Sequence, residues 1–172
     1  IDQNRSGKKH EIDLTYITPR GKWYDYSWKG DVHKSGGIEI NIGIHFFDML
    51  MWIFGGLKKS EVHREEPRCK SGYLELDRAR IRWLLSINRS DLPGPAGAGT
   101  GPYRSILING QKLEFSGGFS DLHTAVYRQI LTGKGYGIRD VRPVTELLYR
   151  IRTAEPVKPH RDQAHPLLAQ SD

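Results

Sequence analysis

One cysteine, Cys69, stands in a chain of 172 residues. Without a second thiol there is no internal disulfide, and the composition suits a reducing, cytoplasmic setting. Arg68 and Lys70 flank this thiol and would lower its pKa, but no His/Asp companion pattern supports a nucleophilic role. No apolar run approaches the roughly 18 residues of a membrane span, because Lys58 and Lys59 close the longest one. Nor does a G-x-G-x-x-G follow any predicted strand. The nearest glycine cluster, Gly94 to Gly101, lies in a proline-broken loop that leads into no helix, which excludes a dinucleotide cradle within these residues. H-x-x-x-H and C-x-x-C spacings are missing, leaving only His45 and Asp48, with His33 or His63, as a weak metal set. The first residues, Ile1 to His10, contain no apolar signal region and no initiator Met, and read as a cut from something longer.

What is present is a soluble globular composition, 37% hydrophobic and 27% charged, long enough for one domain with a real core. The net charge of +6 favours a negatively charged partner. Basic residues are dispersed, and aromatics do not alternate with them as on an RNA-binding sheet, so nucleic acid is disfavoured. A phosphorylated small molecule fits this balance at least as well.

Glu11 to Ile17 alternates polar and apolar residues, as a half-buried strand does. Pro19-Arg20-Gly21 turns the chain into an aromatic, extended segment, Trp23, Tyr24, Tyr26 and Trp28, with Lys22 and Lys29 beside it. This patch is either sheet packing or a wall for a sugar or base. Ser60 to His63 reads as a strand, and Tyr73–Leu76 pairs with Ala79–Ile87 through a turn at Asp77-Arg78. Residues Ser90 to Gly101 read as a mobile loop. Asn109-Gly110 predicts a tight hairpin between Tyr103–Ile108 and Gln111–Phe115. Two helices follow: one over Asp121–Thr132 with Asp121 as N-cap, and one over Val141–Ala154 with Pro143 in its first turn. The expected fold is α+β, an open, largely antiparallel sheet with helices on one face, over residues 1–155. Residues 156–172 form an extended or frayed tail.

The segment from Lys34 to Gly55 carries the chemistry. It reads as one helix, entered through Gly36-Gly37 and ended by Gly55-Gly56. At about 100° per residue, Asn41, His45, Asp48 and Trp52 fall within about 60° of one another. Nearly every other position from Ile42 to Phe54 is apolar, so this helix should be buried on most sides. An imidazole suits proton transfer near neutral pH. Asp48 is placed to orient or charge-stabilise it, Asn41 to bond a substrate hydroxyl, and Ser35-Gly36-Gly37 to bring backbone close to a ligand. A satisfied, buried His45–Asp48 pair that only locks packing explains the spacing equally well. Tyr136, in a glycine-rich turn, either abuts a ligand or only closes the turn.

Gly36-Gly37, Glu39, Asn41, Gly43, His45 and Asp48 resemble, in order and spacing, the signature of the Gfo/Idh/MocA oxidoreductases. Further residues resemble that family's UDP-N-acetylglucosaminuronate 3-dehydrogenases of lipopolysaccharide O-antigen biosynthesis. These are Leu14 to Thr18 with Arg20-Gly21, Ser27 to Asp31, Lys34 to Gly37, Ser71 to Leu76, Phe119 to Thr124, Arg142-Pro143 and Tyr149 to Arg152. The resemblance implies a C-terminal, substrate-binding and oligomerisation domain. NAD would be bound mainly by an N-terminal Rossmann domain that also supplies a lysine from a Glu-Lys-Pro motif, absent here. It implies His45 as catalytic histidine. Asn41, where many relatives carry aspartate, becomes a substrate hydrogen-bonding residue, with Lys29, Trp28, Ser35, Gly36, Asp48 and Tyr136 as further candidates. A UDP-sugar acid as substrate, a homo-oligomer built through the sheet, and no nucleic-acid or membrane partner complete these expectations.

Overall fold

The computed structural model describes residues 7–94, 101–113 and 121–168. The loop residues 95–100, the predicted strand end at 114–115 and the matched pair Phe119-Ser120 lie outside the described residues. Among the described residues, six strands form one sheet in the order β2-β3-β4-β1-β5-β6. They are β1 (His10–Ile17), β2 (Leu57–Glu66), β3 (Cys69–Leu76), β4 (Ala79–Ser86), β5 (Tyr103–Ile108) and β6 (Gln111–Lys112). The sheet is antiparallel except where β1 runs parallel to β4. On β1, Leu14 pairs with Trp83 of β4 on one side and with Ile106 of β5 on the other. The Asn109-Gly110 turn has φ of 52° and 80°, the left-handed pair that a two-residue hairpin requires.

Among the described residues, five α-helices accompany the sheet: α1 (Trp23–Tyr26), α2 (Val32–Ser35), α3 (Ile44–Phe54), α4 (Leu122–Leu131) and α5 (Ile138–Thr153). A π turn over Glu39–Gly43 leads directly into α3. On the face toward the sheet, Ile38 and Ile42 are followed by Phe47, Leu50 and Phe54, all buried. The step from Ile42 to Phe47 is one residue longer than an α-helical turn, and the wider π turn absorbs it. Gly43 marks the closest approach to the sheet, since a Cβ there would lie 2.7 Å from Phe47 and 3.0 Å from Leu85. Phe47 meets Trp83 edge-on at 5.4 Å. Val144, Leu147, Leu148 and Ile151 of α5 close the same core.

Residues 32–54 together contain an 18-residue window of mean hydropathy 1.3, long and apolar enough by composition alone to cross a membrane. The sequence expectation missed this because it looked for an uninterrupted run. The apolar content is explained by the face that covers the sheet.

Several local expectations are corrected. The aromatic segment at 23–26 is a helical turn, not extended: the Ser27 N–H donates to the Trp23 and Tyr24 carbonyls. Asp121 does not cap α4; its φ is 61° and its side chain makes no cap bond. Helix α5 begins three residues earlier than predicted, because Asp140 Oδ2 accepts from the Gly137 N–H at 2.6 Å, so Pro143 lies inside the helix. Residues 156–168 carry no helix or strand and cross the opposite face of the sheet. There Val157 donates to the Val62 carbonyl, Leu167 and Leu168 pack near Ile17, Cys69 and Leu84, and His165 is buried 3.0 Å from Thr15 Oγ1.

Candidate active site

Because α3 gives one face to the sheet and a second to α5, its third face is open. Asn41 is half-buried there, while His45, Asp48 and Trp52 are exposed. The expectation of a helix buried on most sides therefore fails, and so does the buried-pair alternative. No hydrogen bond or ion pair joins His45 to Asp48 among the described residues, and neither side chain is withdrawn from solvent.

Two pockets flank this face. One, of about 550 Å³, is lined by His45, Asp48, Met49 and Trp52 together with Tyr136, Asp140 and Val141. The other, of about 450 Å³, is lined by Asn41, His45, Phe46 and Met49 together with Tyr16, Arg20 and Arg104, among others. His45 and Met49 line both and form the ridge between them. The structure thus brings Asn41, His45, Asp48 and Tyr136 to one locality, although Tyr136 is distant in sequence.

Asn41 is held from behind. Its Nδ2 donates to the Lys29 carbonyl at 3.4 Å, and burial, partly opposed by the nearby Asn41 amide, raises the pKa of the Tyr24 phenol. Lys29 and Trp28 line neither pocket. The Lys29 ammonium sits over the Trp28 ring at 5.8 Å, so Lys29 reaches the site through its backbone carbonyl. Ser35 and Gly36 also line neither pocket. The Ser35 hydroxyl accepts from the Gly37 N–H at 3.2 Å, and Gly36, at φ 77°, ends α2 in the left-handed conformation that suits glycine. His33 is exposed on α2 and His63 is buried on β2, where desolvation pushes its imidazole pKa down. No group of three His, Cys, Asp or Glu side chains gathers at metal-binding range among the described residues. The cationic neighbours of Cys69 do not activate it; burial pushes its thiol up to about 12.

Sequence reasoning missed two features. One is the buried ion pair under the π turn: Lys70 Nζ lies 2.8 Å from Glu39 Oε1 and 2.9 Å from Glu65. Glu39 is fully buried, and its second oxygen has no partner. Lys70 sits inside a strand next to the cysteine, so only the β3 register reveals what it reaches. The other is the pair Arg20 and Arg104. These become neighbours of His45 through β1–β5 pairing, in which Tyr16 opposes Arg104.

Residues 1–85 match the family model described as the C-terminal alpha/beta domain of an oxidoreductase family, Gfo/Idh/MocA. The chain is similar to the WlbA (WbpB) dehydrogenase of Thermus thermophilus. One structure of that protein, in complex with NAD and alpha-ketoglutarate, is 47% identical over 92% of this chain with a TM-score of 0.84. A second, in complex with NAD and UDP-GlcNAcA, is 45% identical over 94% of this chain, again with a TM-score of 0.84. The chain belongs to the Gfo/Idh/MocA oxidoreductase family. As a Gfo/Idh/MocA domain it spans about half, 52%, of the T. thermophilus chains. The Bordetella pertussis WlbA dehydrogenase, in complex with NADH and UDP-GlcNAcA, shares the fold at 16% identity, with a TM-score of 0.61 over 92% of this chain and 58% of that one.

Proposed function

We propose that this chain is the substrate-binding half of an NAD-dependent dehydrogenase. The enzyme would oxidise the 3-hydroxyl of UDP-N-acetylglucosaminuronate to a 3-keto sugar for lipopolysaccharide O-antigen biosynthesis in the cytoplasm. The observation that carries this reading is the seat of His45. It is an exposed imidazole on the ridge between two pockets, in a domain 45–47% identical to a dehydrogenase solved with NAD and with UDP-GlcNAcA.

The described residues do not themselves form a dinucleotide cradle, for no strand runs through a G-x-G-x-x-G turn into a helix. The pyrophosphate and adenosine would rest on another domain, and only the reactive end of the cofactor would approach the His45 face. When bound, the nicotinamide supplies the acceptor for the C3 hydride. His45 Nε2 or Nδ1 takes the proton from the 3-hydroxyl as the carbonyl forms, alone or with a lysine from the other domain. Asn41, held by the Lys29 carbonyl, presents an amide to a sugar hydroxyl. Asp48 lies one turn beyond His45 on the same wall and sets the charge beside the imidazole. Lys29, its ammonium over Trp28, supports this wall through its carbonyl, Ser35 and Gly36 shape the chain's entry to it, and Tyr136 lines the far side of the larger pocket. A homo-oligomer formed through the sheet, without nucleic-acid or membrane partners, completes the proposal.

The test is NADH formation by the full-length protein with UDP-GlcNAcA, UDP-glucose, free glucose and inositol. Turnover confined to the sugar-nucleotide acid supports the reading. Turnover of a free sugar or polyol in its place keeps the family and discards the substrate. Inactivity of the full-length protein on all four would point to a binding or assembly role.

A further inference from the structure

The two pockets that meet at His45 have opposite electrostatic character. Among the described residues, the larger is bordered by two carboxylates, Asp48 and Asp140, and by no Lys or Arg. The smaller is bordered, again among the described residues, by two guanidinium groups, Arg20 and Arg104, and by no carboxylate. Its remaining walls are largely apolar, so a charge placed there meets less screening than on open surface.

Both arginines are exposed, and neither forms an ion pair with Asp or Glu among the described residues. Other arginines of the sheet do. Arg82 grips Asp13 through two bonds of 2.6 and 2.9 Å, Arg64 takes Glu66, and Arg68 takes Asp25. Arg20 and Arg104 rest on aromatic rings instead: Arg104 lies over Tyr16 at 5.1 Å and Arg20 over Trp23 at 6.0 Å. Stacking of this kind holds a guanidinium plane in place while leaving its N–H edges free for a planar oxyanion.

The backbone fixes both positions relative to His45. Tyr16 sits opposite Arg104 in the β1–β5 register, and the Arg20 N–H donates to the Ile87 carbonyl at 3.1 Å just beyond the end of β1. The Tyr16 ring meets Phe46, the residue after His45, at 4.9 Å. One tyrosine thus links the Arg104 guanidinium to the helix that carries the imidazole.

We infer that Arg20 and Arg104 form the anion-recognition side of the active site and set the direction in which the substrate lies. The ligand group is a carboxylate or a diphosphate oxygen of the substrate, engaged on the Asn41 side of His45. The Asp48–Asp140 side repels anions and is left to a neutral or cationic moiety. This deepens the proposed function and rests on it for the identity of the substrate, though not for the existence of the anion site.

The experiment uses the full-length protein with Arg20→Gln, Arg104→Gln, the double variant, and Arg150→Gln as an exposed-charge control on α5. Thermal melts confirm folding, and Arg104→Lys tests whether charge without the planar fork suffices. Binding of UDP-GlcNAcA, UDP and free glucuronate is measured by calorimetry, independently of turnover, and kcat and KM are measured with UDP-GlcNAcA and UDP-GlcNAc. Loss of a charge-assisted contact predicts a rise of about 10- to 100-fold in KM and Kd for UDP-GlcNAcA in each single variant, with kcat changed far less. If the effect disappears with UDP-GlcNAc, which lacks the carboxylate, the arginines read the sugar acid. If it persists with UDP-GlcNAc and with UDP, they read the diphosphate. Wild-type affinities in the double variant for all three ligands would overturn the inference, as would an equal loss in Arg150→Gln. Arginine-dependent anion binding without UDP-GlcNAcA turnover by the wild type would uphold the anion site and refute the proposed reaction. Absence of any anion binding by the wild type would overturn the inference itself.

Discussion

Replacing Lys70 with methionine tests whether the π turn is pinned electrostatically. Lys70 is buried on β3, and its ammonium lies 2.8 Å from Glu39, a carboxylate with no exposed surface. Glu65, at 2.9 Å, is partly exposed, so its share of the pairing is screened by solvent. Glu39 receives no other hydrogen bond on Oε2, and Gly37 is packed so closely that a Cβ there would lie 2.4 Å from that oxygen. Removing one partner of a buried pair strands the other charge and costs about 3–5 kcal/mol. With a urea dependence of about 2 kcal/mol/M, the unfolding midpoint should fall by about 1.5–2.5 M. The melting temperature should fall by about 6–20 °C for a protein of this size. Glu39→Gln added to Lys70→Met removes the stranded charge and should restore stability to within about 1 kcal/mol of the parent, since buried pairs contribute little beyond their neutral replacements. The reasoning fails if Lys70→Met loses less than about 1 kcal/mol, or if the double variant is no more stable than the single one.

His45→Ala in the full-length enzyme should lower kcat by about 10²–10⁴-fold with a much smaller change in KM, read from initial rates of NADH formation; a wild-type kcat would remove His45 from the chemistry. His165 is buried against Thr15, and desolvation with nearby Arg82 lowers its imidazole pKa to about 4 in the folded protein. Its unfolded value is near 6.5, so stability held above that pH is lost as pH falls and the loss is complete below about 4, up to about 3 kcal/mol. Urea midpoints measured across that window should show the slope, and His165→Asn should flatten it. Cys69, with its thiol pushed to about 12 by burial, should resist alkylation at pH 8 in the native state and react rapidly in urea; fast native labelling would contradict the burial assigned to it.

How far the sequence announces this structure depends on how local each feature is. The β1 strand, the Asn109-Gly110 turn and the stop at Gly55 are short-range signals and appear as expected, whereas the single helix read over Lys34–Gly55 is divided into α2, the π turn and α3. Asn41, in the π turn, and His45, in α3, lie one turn apart on continuous helical backbone, so their common face was readable from spacing. Arg20 and Arg104 were not, because they meet only through pairing of strands far apart in the chain. The Trp23–Tyr26 segment misled because aromatic residues favour sheets, whereas here local backbone bonds close a turn that buries Tyr24 alone among them. The π turn left no mark in composition; only the extra residue between Ile42 and Phe47 on the buried face betrays it.

The place of β1 in the sheet has a consequence for how the domain assembles. This strand comes first among the described elements yet lies between β4 and β5, with His10 beside Ala79 and Ile12 beside Ile108. The hairpins β2-β3-β4 and β5-β6 can each zip locally as they are made, but β1 meets its first neighbour, β4, only after β2 and β3 have been made, and its second, β5, later still. During that interval Ile12, Leu14 and Ile17, all buried in the finished sheet, sit on an unpaired strand. Such high contact order slows folding and exposes a sticky edge to other nascent chains. Among the described strands, the first made thus waits longest for a partner, and substitutions along it should reduce soluble yield more than equal losses of stability elsewhere.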